Sequence, residues 1–358
     1  MTKPSYSSLG SRQSRTWRSV ACLLFGLVWC APAAEPFSAT NLLRKDFWDT
    51  DGNINAIATA NGAVYVGGSF SYVAPRGRKV AAVDAYTGQL QSEFPRVFGS
   101  AIHAILEDGN GGWFIGGEFN EVGGLARTNL AHVLSSFAVD PDFHPDPNDA
   151  VFALTSDGDR LFVGGDFTRI DGQARSRLAS FNLSNNLATA WAPQPSGRVS
   201  ALLAAEDRIY AGGTFTSIGG LDARHLAALD PQSGGAFSWF PLPDGPVVTM
   251  GLLDRRLFVG GSFNIIGGEF RESAAAVDVQ SGIATAWDPQ LSGGEVTALR
   301  AACDTVYLGG YFTNVHGATR HRVAAVDSDL GLPTAWDAGL ALKRSGNLNS
   351  SVNSVRSP

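Results

Sequence analysis

Cysteine is scarce in this chain: 358 residues hold three, Cys22, Cys30 and Cys303. A disulfide-stapled scaffold is thereby excluded, and stability has to come from a hydrophobic core. Charge is sparse too, at 17%, and it is not basic, with Lys+Arg 27 against Asp+Glu 33 and a net charge of −6. A surface of that sign repels nucleic acid and anionic membranes. Long hydrophobic runs are missing: Val20 to Val28 falls well short of the ~20 residues that a spanning helix needs. A sustained 3.6-residue period, which an α/β repeat would require, is missing as well. His103, His132, His144, His225, His316 and His321 are scattered, with no HExxH and no paired His/Cys spacing. Zinc is therefore not indicated, and without a G-x-S-x-G element no catalytic nucleophile is nominated.

What the N-terminus does contain reads as a secretory signal over residues 1–34. Lys3, Arg12, Arg15 and Arg18 form a basic region, Val20 to Val28 an apolar core, and Ala31-Pro32-Ala33-Ala34 a small-residue cleavage site. Trp29 ahead of Cys30 is too bulky for a lipobox. Cleavage removes four positive charges and no acidic ones, which takes the net charge from −6 to −10. It would also leave Cys303 as the only cysteine, with no intrachain disulfide open to it.

Glycine is abundant, 42 residues, and it is patterned. VYVGGSF, WFIGGEF, LFVGGDF, IYAGGTF, LFVGGSF and VYLGGYF place paired glycines at Gly67, Gly116, Gly164, Gly212, Gly260 and Gly309, a period of 48 to 49 residues. A fixed period of this length marks one supersecondary unit repeated six times. Each unit opens on an apolar segment, at Ile54, Ile102, Val151, Val199, Val247 and Val296, followed by the glycine strand. Third segments such as VAAVD (80–84) and LAALD (226–230) come next. The unit closes on an aromatic: Phe94, Phe143, Trp191, Trp239, Trp287 or Trp336. Four short strands per unit predict an all-β fold, a β-propeller of four-stranded blades over residues 35–345. Six blades are expected, and seven is the alternative. Phe47-Trp48-Asp49 resembles the end of a fourth strand, and Ser351-Val352-Asn353-Ser354-Val355 the start of another first strand. Residues 346–358 are accordingly read as a tail or as the start of a partial further blade. The glycine pairs are expected to make room for a large ring, such as Trp191 or Trp239, between neighbouring blades.

The repeat unit resembles the delta-60 repeat, a bacterial β-propeller repeat of unassigned function, and is similar to the propeller of Rax2-like fungal polarity markers. The likeness covers about residues 45–340. Copy two departs from it, because the strand after Leu130-Ala131-His132 lacks the aspartate found at Asp84, Asp230, Asp278 and Asp327; copy three carries Asn182 there. Ala276-Val277-Asp278-Val279-Gln280-Ser281-Gly282 followed by Trp287 is also similar to the tryptophan-docking motif of quinoprotein dehydrogenases. That resemblance implies shared blade packing and not shared chemistry, since those enzymes have eight blades.

Arg78, Arg127, Arg175, Arg224, Arg271 and Arg320 recur once per unit. They are the candidate ligand-binding residues, a positive ring suited to carboxylates or an anionic glycan. The competing reading has each arginine fastening a loop to backbone carbonyls. Asp49, Asp51 and Asn53 in one loop, and Asp140, Asp142 and His144 in another, are the candidate metal ligands, with calcium the cation implied by oxygen donors at alternate positions. Trp113 and Tyr311 stand outside the repeat pattern and are candidates either for packing or for a ligand face. The expected function is a secreted or periplasmic bacterial binding scaffold for a surface glycan or protein partner. The alternative is an enzyme with a channel-mouth site, glycan-cleaving or quinoprotein-like, whose non-repeated polar residues would converge on one rim.

Overall fold

In the computed structural model the described residues are 53–60, 63–70, 80–84, 90–91, 94–205 and 207–337. Residues 1–34, read above as a signal, Asp49, Asp51, Arg78 and the tail 346–358 lie outside them. Six larger antiparallel sheets follow one another, one per repeat, with three small sheets beside them (Arg169–Ile170 with Gln173–Ala174, Ile265–Ile266 with Glu269–Phe270, and Leu291–Ser292 with Asn314–Val315 and Ala318–Thr319), and no helix occurs among the described residues. Sheet one contains Ile54–Ala60, Ala63–Gly68, Val80–Asp84 and Leu90–Gln91. Sheet two is built on Val97–Glu107, Trp113–Val122 and Leu130–Val133. Sheet three has Val151–Ser156, Arg160–Gly165 and Leu178–Asn182. Sheet four has Val199–Ala204, Ile209–Gly213 and Leu226–Leu229. Sheet five has Val247–Leu253, Arg256–Gly261 and Ala274–Asp278. Sheet six has Val296–Ala302, Thr305–Gly310 and Val323–Asp327. The glycine strand is the middle strand in each case.

The four-stranded expectation needs correcting. Only sheet one pairs a fourth strand, Leu90–Gln91 against Val83 and Ala82, to its third. Elsewhere the fourth segment touches its sheet through a single bridge, at Val133–Val139, Phe181–Ala188, Leu229–Ala236, Val277–Ala284 or Val326–Pro333. The chain turns away there to send its closing aromatic toward the next sheet.

No single core holds the sheets. Five apolar clusters are found among the described residues, each spanning two consecutive sheets. Phe162, Leu178 and Trp191 of sheet three, for example, pack with Val199, Ile209 and Phe215 of sheet four. Because both faces of a middle strand meet such a cluster, all five residues Leu161 to Gly165 are buried. Alternation survives only in the first strands, as in Val151–Ser156.

The glycine pairs do two separate jobs. A Cβ on Gly164 would lie 2.7 Å from Val199 Cγ1 of the next sheet, and one on Gly116 2.5 Å from Val151 Cγ1. Gly67 meets Ile102, Gly212 meets Val247 and Gly260 meets Val296 in the same way. The first glycine is thus a socket for the branched residue that opens the following sheet. The expected blade-to-blade role holds, but the occupant is aliphatic and not a ring. The second glycine answers to backbone: a Cβ on Gly165 would sit 2.1 Å from the carbonyl oxygen of Ala150. The cause is a β-bulge that skips one residue of every first strand, namely Asn55, His103, Phe152, Ser200, Val248 and Thr297.

The closing tryptophans perform the docking that the sequence resemblance implied. Trp191 Nε1 donates to the carbonyl of Asp230 at 3.0 Å, Trp239 to Asp278 at 3.2 Å and Trp287 to Asp327 at 2.9 Å. Each ring also sits edge-on to the aromatic ahead of its own glycine pair, as Phe162 does to Trp191 at 5.0 Å. The acceptor aspartates hold their own turns: Asp230 Oδ1 accepts from the Gln232 and Ser233 amides and from the Ser233 hydroxyl. Those bonds keep its carboxyl below the ordinary range.

Candidate functional site

A β-bulge re-aims the residue it skips, and the six skipped residues occupy equivalent places on consecutive first strands. In the first three sheets they are large and they touch. Asn55 Nδ2 lies 3.4 Å from His103 Nδ1, and the His103 ring lies over Phe152 at 4.7 Å. Arg198, just ahead of the fourth first strand, places its guanidinium 4.3 Å from the Phe152 centroid. The result is one row of side chains across four sheets, in which Asn55, His103 and Phe152 are partly exposed and Arg198 is exposed.

The residue that follows each glycine pair completes this rim. Glu118 Oε1 accepts from His103 Nε2 at 2.9 Å, and Asp166 Oδ2 accepts from Arg198 Nε at 2.9 Å and from Nη2. Since Asn55 offers an N–H to Nδ1, the neutral His103 tautomer that satisfies both neighbours carries its proton on Nε2. Further along, Ser262 donates to Glu295 Oε2. Tyr311 stands 43% exposed beside a cleft of about 460 Å³ lined by Ser262, Asn264, Glu272, Gly294 and Glu295. The rim therefore offers carboxylates, a guanidinium stacked on an aromatic face, an imidazole and a phenol. Such a mixture recognises polar groups and planar surfaces together.

A second cluster belongs to sheet two alone. His132 Nδ1 lies 2.8 Å from Asp140 Oδ2 and its Nε2 3.0 Å from Asp108 Oδ2. Phe114 stacks on the ring at 4.3 Å. Burial by itself would raise the Asp108 carboxyl, but the bond to His132 and the amides of Asn110 and Gly112 bring it below the ordinary value.

The repeat arginines are spoken for by backbone. Arg127 donates to the carbonyls of Ala126, Asp140 and Pro141, and Arg175 to those of Thr189 and Ala190. Arg271 donates to Phe270 and Thr285, and Arg320 to Thr319 and Thr334. Arg224 does not belong to that series. Its carbonyl accepts from Leu226, as that of Ser176 does from Leu178, so it stands one position on, and buried Ala223 holds the arginine site. Sequence reading missed a second series at the start of the middle strands: Arg160 reaches the Pro231 carbonyl, Arg208 that of Val279 at 3.3 Å, and Arg256 that of Ser328. Each clasps the sheet that follows.

Asp140, Asp142 and His144 are not gathered around one point: Asp140 faces His132, while Asp142 and His144 are exposed. Among the described residues no group of three His, Cys, Asp or Glu is placed to hold a metal ion. Asn53 is half-buried, and its carbonyl accepts from the Ser69 amide. Trp113 is core, 1% exposed, tilted against Tyr65 at 4.2 Å and stacked on Phe137 at 5.8 Å. Cys303 is disulfide-bonded in the uncleaved chain, and the lone thiol is expected only once residues 1–34 are removed.

The rim was hidden because its members follow no repeated pattern, with Asn55, His103, Phe152, Ser200, Val248 and Thr297 at the skipped position. Only the bulge makes them equivalent, and a bulge is a property of pairing that a search for repeated letters discards.

No family model matches the chain, and no curated protein matches it. Solved structures do. The WD40 repeats of RRP9 superpose with a TM-score of 0.53 at 11% identity, covering 80% of this chain and 82% of that one. U3-55K gives a TM-score of 0.54 at 10% identity, over 80% and 81%. The computationally designed Ika8 protein gives 0.50 at 14% identity, over 79% and 73%. At such identities the likeness carries the fold and nothing else: this chain has the repeated antiparallel sheets of a β-propeller.

Proposed function

We propose that the protein is a secreted or periplasmic bacterial binding scaffold, a six-bladed propeller of delta-60 type repeats that engages a partner protein with its bulge-side rim. A surface glycan is the alternative partner, and an enzyme with its site on this rim is the competing reading, since the gathering of non-repeated polar residues is also what an enzyme would show. The reading is carried by one observation: non-repeated polar and aromatic side chains, Asn55, His103, Phe152, Arg198, Glu118 and Asp166, form a continuous row on an otherwise repetitive framework. A framework residue recurs in every copy because every copy needs it, whereas a recognition residue has no reason to recur. The basic–apolar–small N-terminal pattern supports export.

The test replaces Phe152, and separately Arg198, with a photoreactive amino acid in the full chain and irradiates it with the cell envelope of the producing bacterium. The control position is Leu187, on an outer turn and 60% exposed. Defined adducts are expected from both rim positions, none from Leu187, and fewer when Arg198→Glu is added to the Phe152 probe. Equal labelling at all three positions, or none at the rim, would remove the proposal. Retention on a glycan array that is lost in Arg198→Glu would transfer it to the glycan partner.

A further inference from the structure

Between the closing aromatic of one sheet and the first strand of the next, the chain lies along the third-strand edge of the sheet it is entering. At sheet four this edge is an open cleft of about 510 Å³, with Ala192, Gln194, Ser217, Asp222 and Gly235 all in its lining. Sheet five repeats the frame. Gly267 donates its amide to the Pro241 carbonyl as Gly219 does to Pro193, and Asp244 donates to Ile265 as Ser196 does to Ser217. The residues at the same five positions are Phe240, Leu242, Ile265, Phe270 and Ile283, and they are between 43% and 66% exposed. Ile265 and Phe270 are direct partners across a short hairpin. Five large apolar side chains thus surround one place on the surface.

In sheets three, four and six the counterparts of four of these residues are polar or small. Phe240 corresponds to His144, Ala192 and Asp288, and Leu242 to Asp146, Gln194 and Gln290. Ile265 corresponds to Arg169, Ser217 and Asn314, and Phe270 to Ala174, Asp222 and Thr319. At the fifth position Leu187 and Leu332 are apolar as Ile283 is. The frame therefore forms without the other four, and Leu242 even holds φ +45°, a left-handed conformation that a bulky side chain adopts at a cost. Charge beside the patch is of one sign. Asp244 and Glu269 are exposed at its edge, and Asn264, next to Ile265, leads into the cleft by Tyr311 that Glu272 and Glu295 line. Arg271 is already held by the Phe270 and Thr285 carbonyls, with Asp288 at 3.9 Å. Two copies joined here would set like charges against each other. Five side chains also offer only a few hundred Å², against the ~800 Å² that each member of a stable pair buries. We propose that this patch is a second docking surface, separate from the rim row, for a polypeptide segment whose apolar residues are flanked by lysine or arginine.

Fluorescence anisotropy of the full chain with a labelled amphipathic leucine–lysine peptide tests this, beside its leucine–glutamate counterpart. A quadruple variant, Phe240→Ala, Leu242→Gln, Ile265→Ser and Phe270→Thr, installs residues that the other sheets carry. It is expected to weaken binding of the leucine–lysine peptide about tenfold, and Glu269→Gln to weaken it about threefold. The leucine–glutamate peptide should not bind. Phe152→Ala, in the rim row, should bind the peptide as the parent does, so that loss of one surface is told apart from loss of the other. Because the four side chains are exposed, the quadruple variant should keep the parent's urea midpoint. A lower midpoint would assign them to the fold and overturn the proposal, as would equal peptide binding by parent and variant or no binding by either. A dimer in sedimentation that the quadruple variant loses would make a second copy the occupant. Binding to phosphatidylcholine vesicles that the variant loses would make it a lipid surface. Either result would overturn the proposal too.

Discussion

At the scale of single residues, His132 shows how one substitution is absorbed by a repeat. Copies three to six carry a small residue there, Ser180, Ala228, Ala276 and Ala325, and close on a tryptophan. Copy two closes on the smaller Phe143, and the imidazole fills the space, edge-on to Phe143 at 6.1 Å. Both ring nitrogens face carboxylate oxygens, so only the doubly protonated ring can donate at both. The depressed Asp108 carboxyl fixes the sign of the pH dependence. A carboxyl lowered in the folded state adds stability that is complete above its unfolded value, about 3.9, and is lost as the pH falls through the folded one. His132→Gln is therefore expected to cost about 2–3 kcal/mol at pH 7, with the gap to the parent narrowing below about pH 4. Urea midpoints at the two pH values measure it; a gap of constant size would mean that His132 acts by packing and not by charge.

At the scale of elements, the joint behaves as a peg and a socket, and its two halves should be coupled. Gly164→Ala forces a methyl against Val199 and is expected to cost about 1–3 kcal/mol. Val199→Ala empties part of the socket for a similar loss. Together the added methyl occupies volume that the valine has vacated, so the double variant should recover about 1 kcal/mol relative to the sum. Gly165→Ala serves as the control. Its methyl would meet the Ala150 carbonyl, which Val199 does not touch, so its cost should be the same with or without Val199→Ala. Strictly additive losses for the Gly164–Val199 pair would refute the peg and socket. Five of the non-glycine residues at positive φ sit beside these sockets, each within its own sheet. Asn129, Arg177, His225, Ser273 and Arg322 hold this conformation at equivalent positions. Each receives the amide of a socket's second glycine and returns its own amide to the Phe two residues beyond that glycine.

For the whole molecule, much of the architecture was legible because the period and the glycine pairs reflect contacts made anew at every joint. The closing tryptophans and the turn aspartates were legible for the same reason. Three features were not. The fourth strand shrinks to one bridge because its aromatic is pulled to the neighbouring sheet, and a strand-like pattern of letters does not reveal that. The Arg160, Arg208 and Arg256 clasps recur in only part of the chain, so they fall below the repeat signal. The rim is made of residues that follow no repeated pattern. With one apolar cluster per joint and no cluster common to all sheets, stability should follow nearest-neighbour rules as in other repeat proteins. Gly212→Val blocks the socket between sheets four and five, where a Cβ already meets Val247 Cγ1 at 2.9 Å. Native-state hydrogen exchange is expected to show protection lost first in 209–213, 226–229 and 247–261, with 113–133 and 160–182 holding close to parent values. An equal loss in every sheet would show a unit that opens only as a whole, with a closed ring distributing the damage that separate joints would confine.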